Sequence, residues 1–280
     1  MMRSFLGLLL NTVISLVRIV ISYPKRSYRF VYRKGTDTTI RVLANGSSLS
    51  KHIEKFDYKD GCDYFVVNFF ALSPYFETIR PSKYILADDL FWMEDDHSGT
   101  FEKRNKLYEQ LLTVSWRMEL FVPLRGYKKG TIQTFLKTND NIKVIPYYAN
   151  LFNGFKNLKY WLYKHDYATP LNQNVIIPEL FISINSGYRK IELYGADFSW
   201  TEDLRVNEKN EICRIDKHFY EKGETMEYKP IKAKVTIDQY FLTKAKMFFS
   251  CREIQDYAIM MRCDIKNMNP HSYIDAFRKI

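Results

Sequence analysis

A chain of 280 residues, 46% of them hydrophobic, can bury the core of one large α/β domain and carry a modest extension besides. Its formal charge of +10 and pI near 9.2 point to an anionic partner, whether a nucleotide, an anionic glycan or an acidic membrane surface. Basic residues run along the whole chain without a zinc-finger or RNA-binding pattern, which sets nucleic acid aside. The four cysteines, Cys62, Cys213, Cys251 and Cys263, lack C-x-x-C spacing and read as reduced structural thiols rather than metal ligands.

The chain opens with an apolar helix over residues 5–21, interrupted by Asn11, Ser15 and Arg18 and followed by Lys25, Arg26 and Arg29. It is short for a span and lacks the small-residue cleavage site of a signal peptide. The expectation is a monotopic anchor whose apolar side chains enter the leaflet while the cations meet anionic headgroups, at the cytoplasmic face of the inner membrane. A core helix or a true span is the alternative. Residues 1–34 thus form a membrane-associating helix and basic linker, and residues 35–280 the main α/β domain.

Beyond the linker, apolar runs predict strands at 40–44, 64–67, 84–87, 142–146 and 190–194. Between them, 101–116, 131–137, 152–165 and 175–186 carry helical patterns, the last closed by Gly187 as a C-cap. This is the βαβ rhythm of a Rossmann-like, mostly parallel sheet with helices on both faces. The polar stretch 198–235 reads as a lid-like loop. A helix over 237–262, a short strand at 264–268 and a last helix opened by Pro270 and Ser272 complete the pattern.

In such sheets ligands lie beyond the carboxyl ends of the strands. The first strand ends in Asn45, Gly46, Ser47 and Ser48, a small polar turn before a helix, which suits an anion because glycine permits close approach and the first N–H groups lack partners. A structural N-cap by either serine explains the same residues. Asn68 follows the second strand, Asp88 and Asp89 the third, and Asp197 to Trp200 the run YGADF. The paired carboxylates Asp88 and Asp89 can hold Mg²⁺, contact sugar hydroxyls or cap a helix. His218, in RIDKHFYEKG beside Arg214, Lys217 and Lys222, is the best general base, since nearby cations favour the neutral imidazole that can take a proton from a hydroxyl.

Taken in order, ANGSSL, Asn68 in FVVNFFAL, GYRKIELYGADF, KHFYEKG and NPHSYIDAF resemble the small bacterial sialyltransferases, which move sialic acid from its CMP-activated form onto surface glycans. The resemblance runs from Ile40 to Phe277. It implies a Rossmann-like domain with a lid, inversion at the anomeric carbon and no essential metal. Asn45, Gly46, Ser47, Ser48 and Asn68 would hold the CMP portion, with Asp197 beside them. Asp88, where the family has Asn, would face the donor sugar, and His218 would be the base. The chain departs from the family where Asn174 and Val175 replace a Ser-Gly helix start, and where Ser199 and Trp200 replace phosphate-binding tyrosines. Arg214, Lys217 or Tyr220 would then stabilise the leaving phosphate. The partners implied are a CMP-sugar donor, a glycan or glycolipid acceptor and the inner membrane surface, with self-association left open. A pyrophosphokinase-like enzyme of the same broad fold and a non-catalytic nucleotide- or glycan-binding subunit are the competing functions.

Overall fold

The computed structural model describes residues 2–22, 35–93, 101–202, 204–214, 229–231 and 235–280. In chain order come α1 (Met2–Ile21), β1 (Thr36–Leu43), α2 (Ser50–Ile53), β2 (Asp63–Val67), α3 (Phe76–Ile79), β3 (Lys83–Ile85), α4 (Phe101–Leu112), β4 (Met118–Pro123), α5 (Leu124–Tyr127) and α6 (Thr131–Leu136). They continue with β5 (Ile142–Tyr147), α7 (Lys156–Lys164), α8 (Ile176–Asn185), β6 (Tyr188–Tyr194), β7 (Leu204–Val206), β8 (Ile212–Arg214), β9 (Lys229–Pro230), α9 (Ile237–Met260), β10 (Asp264–Asn267) and β11 (Arg278–Lys279).

Eight strands form one sheet in the order β11-β10-β6-β1-β2-β3-β4-β5, every neighbouring pair parallel. In β1, Ile40 lies opposite Asp63 of β2 and Ile191 of β6. Side chains alternate across the sheet, so two cores form. Ile40, Val42, Phe65, Val67, Ile191 and Leu193 meet α7, α8 and α9, whereas Leu43, Tyr64, Val66, Leu120 and Val122 meet α4 and α6. Helix α8 is buried at all ten positions, which is why its sequence is apolar but for Glu179, Ser183 and Asn185. Gly187, at φ +101°, ends it in the left-handed conformation expected of a C-cap.

Three expectations require correction. The helical pattern predicted to Trp116 stops at Leu112, and Met118–Pro123 is a strand between β3 and β5, a short apolar run that periodicity does not separate from a helix tail. The stretch 198–235 contains a small antiparallel sheet in the order β7-β8-β9 instead of loop alone. No helix follows Pro270. Asn269 Oδ1 accepts from the His271 N–H at 3.0 Å, Ser272 Oγ accepts from the Ile274 N–H at 3.2 Å, and the Tyr273 N–H donates to the Asp197 carbonyl at 3.0 Å. These bonds take the N–H groups a helix would need. Ile274 and Phe277 then enter the core, and β11 pairs with β10. In addition, the helix expected from residue 152 starts at Lys156, because 152–155 form a loop against α1. All four cysteines are free thiols.

Candidate functional site

The chain winds outward from β1 to β5 and returns to β6 on the other side of β1. The strand order therefore reverses between β1 and β6, where open α/β sheets leave a crevice. The loops that meet there are the ANGSSL turn and the residues after β6. The Gly46 N–H donates to the Gly195 carbonyl at 2.9 Å, and a Cβ on Gly46 would sit 2.3 Å from that oxygen and 2.7 Å from Asp197 Oδ2, so only glycine fits. Asp197 then accepts from the Ser48 N–H at 3.1 Å, Ser47 Oγ at 3.3 Å, Ser48 Oγ and Asn269 Nδ2 at 2.8 Å. Neither serine caps a helix through its side chain. The donors expected to face a ligand instead hold the chain's own carboxylate. One helical turn on, His52 packs edge-on against Tyr194 with centroids 5.3 Å apart. Its imidazole is held below the usual value chiefly by burial, then by Lys55 and Lys51, with Asp197 acting the other way.

A cavity of about 430 Å³ opens beyond the carboxyl ends of β2 to β5 and beside the start of α8. Asn68, Asp88, Arg125, Tyr147, Asn172 and Asn174 are among its walls. Asn68 sits at φ +48°, a conformation uncommon outside glycine, and its carbonyl is fixed by the Tyr84 hydroxyl, which also accepts from the Ala71 N–H at 2.9 Å. Asp88 Oδ1 accepts from the Leu90 N–H at 3.1 Å, and Asp89 pairs with Arg125 at 2.7 Å, an exposed contact of small energetic weight. Among the described residues no three His, Cys, Asp or Glu side chains converge as a metal site.

Asn174 Oδ1 caps α8 by accepting from the Ile176 and Ile177 N–H groups at 3.1 and 3.2 Å. Its Nδ2 has no partner among the described residues, and the same holds for Asn45 Oδ1, Asn68 Oδ1 and both amide atoms of Asn172. Asn68, Asn172 and Asn174 line the cavity, and because folded proteins leave few buried polar atoms unpaired, their amide groups are open to a polar ligand there.

Below the cavity wall lies Glu179, one turn further along α8 than Val175 and so on the same helix face. It is fully buried and neither carboxylate oxygen has a partner among the described residues. Burial pushes its carboxyl well above the usual carboxylate range, and burial likewise raises the Tyr147 phenol. The unfolded chain ionises Glu179 near pH 4.5 and the folded chain keeps the proton. Stability from this group is therefore complete below the unfolded value and falls as pH rises above it, by about 1.4 kcal/mol per unit until the folded value is reached. Glu179→Gln is expected to be the more stable protein at pH 7 and equal to the parent near pH 4, the gap opening as pH rises between them. Urea unfolding across that range checks it; parallel profiles would mean that folding leaves the titration of this carboxyl unchanged.

Of the residues singled out in the sequence, Asn68, Asp88 and Asn174 share the cavity wall, and Gly46, Ser47, Ser48 and Asp197 form the knot between the ends of β1 and β6. Asn45 stands half-buried between the strand and that knot. Ser199 is half-buried and its carbonyl accepts from the Glu202 N–H at 3.0 Å. Arg214 ends β8, while Lys217, His218 and Tyr220 lie outside the described residues. Arg125, Tyr147, Asn172 and Gln173 line the cavity without having been expected there. Tyr147 directly follows the strand predicted at 142–146 and is legible on that ground; Arg125 follows β4, the strand that periodicity missed.

No family's sequence model matches the chain, and no curated protein matches it in sequence. Among solved structures, the MAf glycosyltransferase from Magnetospirillum magneticum AMB-1 is similar with a TM-score of 0.50 at 12% identity, the match covering 90% of this chain and 35% of that one. The chain thus spans well under half the length of that enzyme. At such identity the likeness is one of fold, a mostly parallel Rossmann-like sheet with helices on both faces, seen also in a glycosyltransferase.

Proposed function

We propose that the chain is an inverting glycosyltransferase that moves sialic acid, or a related acidic sugar, from a CMP-sugar to a cell-surface glycan. The observation that carries this reading is the amide-walled cavity beyond the carboxyl ends of β2 to β5. Its size suits a nucleotide-sized ligand, and Asn68, Asn172 and Asn174 both donate and accept, as base edges and sugar hydroxyls require. The shared fold of a glycosyltransferase supports the same class.

In the proposed reaction His218 takes the proton of the acceptor hydroxyl as its oxygen bonds to the anomeric carbon. The bond from that carbon to the CMP phosphate oxygen breaks on the opposite face, and CMP departs with the electron pair. Charge builds on the leaving phosphate, for which Arg214, Lys217 and Tyr220 are the proposed stabilisers.

A thermal-shift screen of CMP, CMP-sialic acid, CMP-Kdo, UDP-sugars and ATP tests the donor class. A ligand at a hundredfold excess over its Kd is expected to raise the melting temperature by about 5–10 °C. CMP and CMP-sialic acid should do so. Stabilisation by UDP-sugars alone would overturn the donor class, and stabilisation by ATP with AMP release would favour pyrophosphoryl transfer.

A further inference from the structure

Helix α1 is amphipathic in the reverse of the usual sense. The stripe it turns inward is Thr12, Ser15 and Ile19, each about 5% exposed or less. Thr12 Oγ1 accepts from the Phe155 N–H at 3.3 Å, and Ser15 Oγ donates to the Asn153 carbonyl at 3.1 Å and accepts from its N–H at 3.0 Å. The fit is close, since a Cβ on Gly154 would lie 2.3 Å from Thr12 Oγ1. At the far end, the Ser22 carbonyl accepts from the Tyr148 hydroxyl and Ser22 Oγ from Asn150 Nδ2 at 2.9 Å. The apolar side chains face out: Phe5 is 56% exposed, Leu10 60%, Val20 70% and Ile21 81%, with Val13 and Val17 about half exposed.

Such a broad exposed apolar arc marks an interaction surface. A single partner helix covers a narrow stripe and would leave much of the arc wet, whereas a lipid surface covers all of it. Charge favours the same occupant. Before Asp37 the sequence has no acidic residue but seven cations, namely Arg3, Arg18, Lys25, Arg26, Arg29, Arg33 and Lys34, which amount to most of the chain's excess positive charge. Among the described residues no helix is long and apolar enough to cross a membrane, and the hydroxyl seam of α1 is already bonded to the domain. The helix is tied to the segment that supplies the cavity wall, because Tyr147 and Ala149 line the cavity while Tyr148 and Asn150 hold Ser22.

We infer that α1 is an interfacial helix that lies in the plane of an anionic lipid surface, its Thr12–Ser15–Ile19 seam on the protein and its apolar arc among the acyl chains, which seats the cavity wall after β5 beside that surface. The inference does not depend on glycosyl transfer, since its readout is binding. The full chain is expected to co-sediment with vesicles of phosphatidylcholine and phosphatidylglycerol and to bind pure phosphatidylcholine much less. Leu10→Glu, Val13→Glu and Val17→Glu together should weaken vesicle binding about a hundredfold and leave the lipid-free melting temperature unchanged, because these side chains point away from the core. Lys25→Gln, Arg26→Gln and Arg29→Gln together should cost about a hundredfold on anionic vesicles and almost nothing on neutral ones. Undiminished binding by the glutamate variant would overturn the inference. So would a lipid-free dimer that this variant converts to monomer while neither protein binds vesicles, since a second copy would then be the occupant.

Discussion

Asp197→Ala is expected to destabilise the fold by about 3 kcal/mol, read as a lower urea midpoint at unchanged slope. The carboxylate accepts from one backbone N–H, two hydroxyls and one amide, drawn from the turn after β1 and the segment after β10. Its removal leaves the Ser48 N–H and Asn269 Nδ2 without their acceptor at a tightly closed crossing, where Gly46 already touches Gly195. The hydroxyls of Ser47 and Ser48 can turn elsewhere, but the N–H cannot. Asp197→Asn keeps one acceptor oxygen and should lose about half as much. If the alanine variant were as stable as the parent, the knot would have no structural weight, and its donors would be available for a ligand after all.

His218→Ala is expected to lower transfer by about 10²–10⁴-fold while stabilisation by CMP persists. The separation follows from the role proposed. A general base acts on the acceptor hydroxyl in the transition state, whereas in the proposed reaction the nucleotide would be held by groups at the strand ends. A general base acts only in its unprotonated form, so activity should also fall as the imidazole is protonated at lower pH. A variant with ordinary turnover would remove His218 from the mechanism without touching the donor assignment, which the thermal-shift screen tests separately.

Strand-end chemistry was legible where a strand was legible. Asn45, Asn68 and Asp88 each follow an apolar run that ends in a polar residue, and the parallel sheet makes such ends converge. Arg125 escaped because MELFVP follows a helix closely and is too short to show a period of its own. Asn172 escaped for a different reason: it belongs to the loop before α8 and reaches the cavity only because that helix is buried across the sheet. The last eleven residues misled because a proline and a serine open helices in isolation, yet the side chains of Asn269 and Ser272 bond the local backbone, and Ser272 Oγ donates to the Ala196 carbonyl just after β6.

The sequence by itself determined the order of apolar runs, the parallel α/β class, the glycine-dependent turn after β1 and the cap at Gly187, all of them local consequences of residue type. Which groups face each other was decided only in three dimensions. The ANGSSL turn has the form of an anion site, but the anion it holds is Asp197, some 150 residues away and brought there by the pairing of β6 with β1. Helix α1 shows the same division. Its apolar run reads as an anchor or a core helix without saying which face meets the domain; Thr12 and Ser15 face it because the loop before α7 presents the N–H groups of Asn153 and Phe155 and the Asn153 carbonyl, and these polar groups need hydroxyl partners when buried.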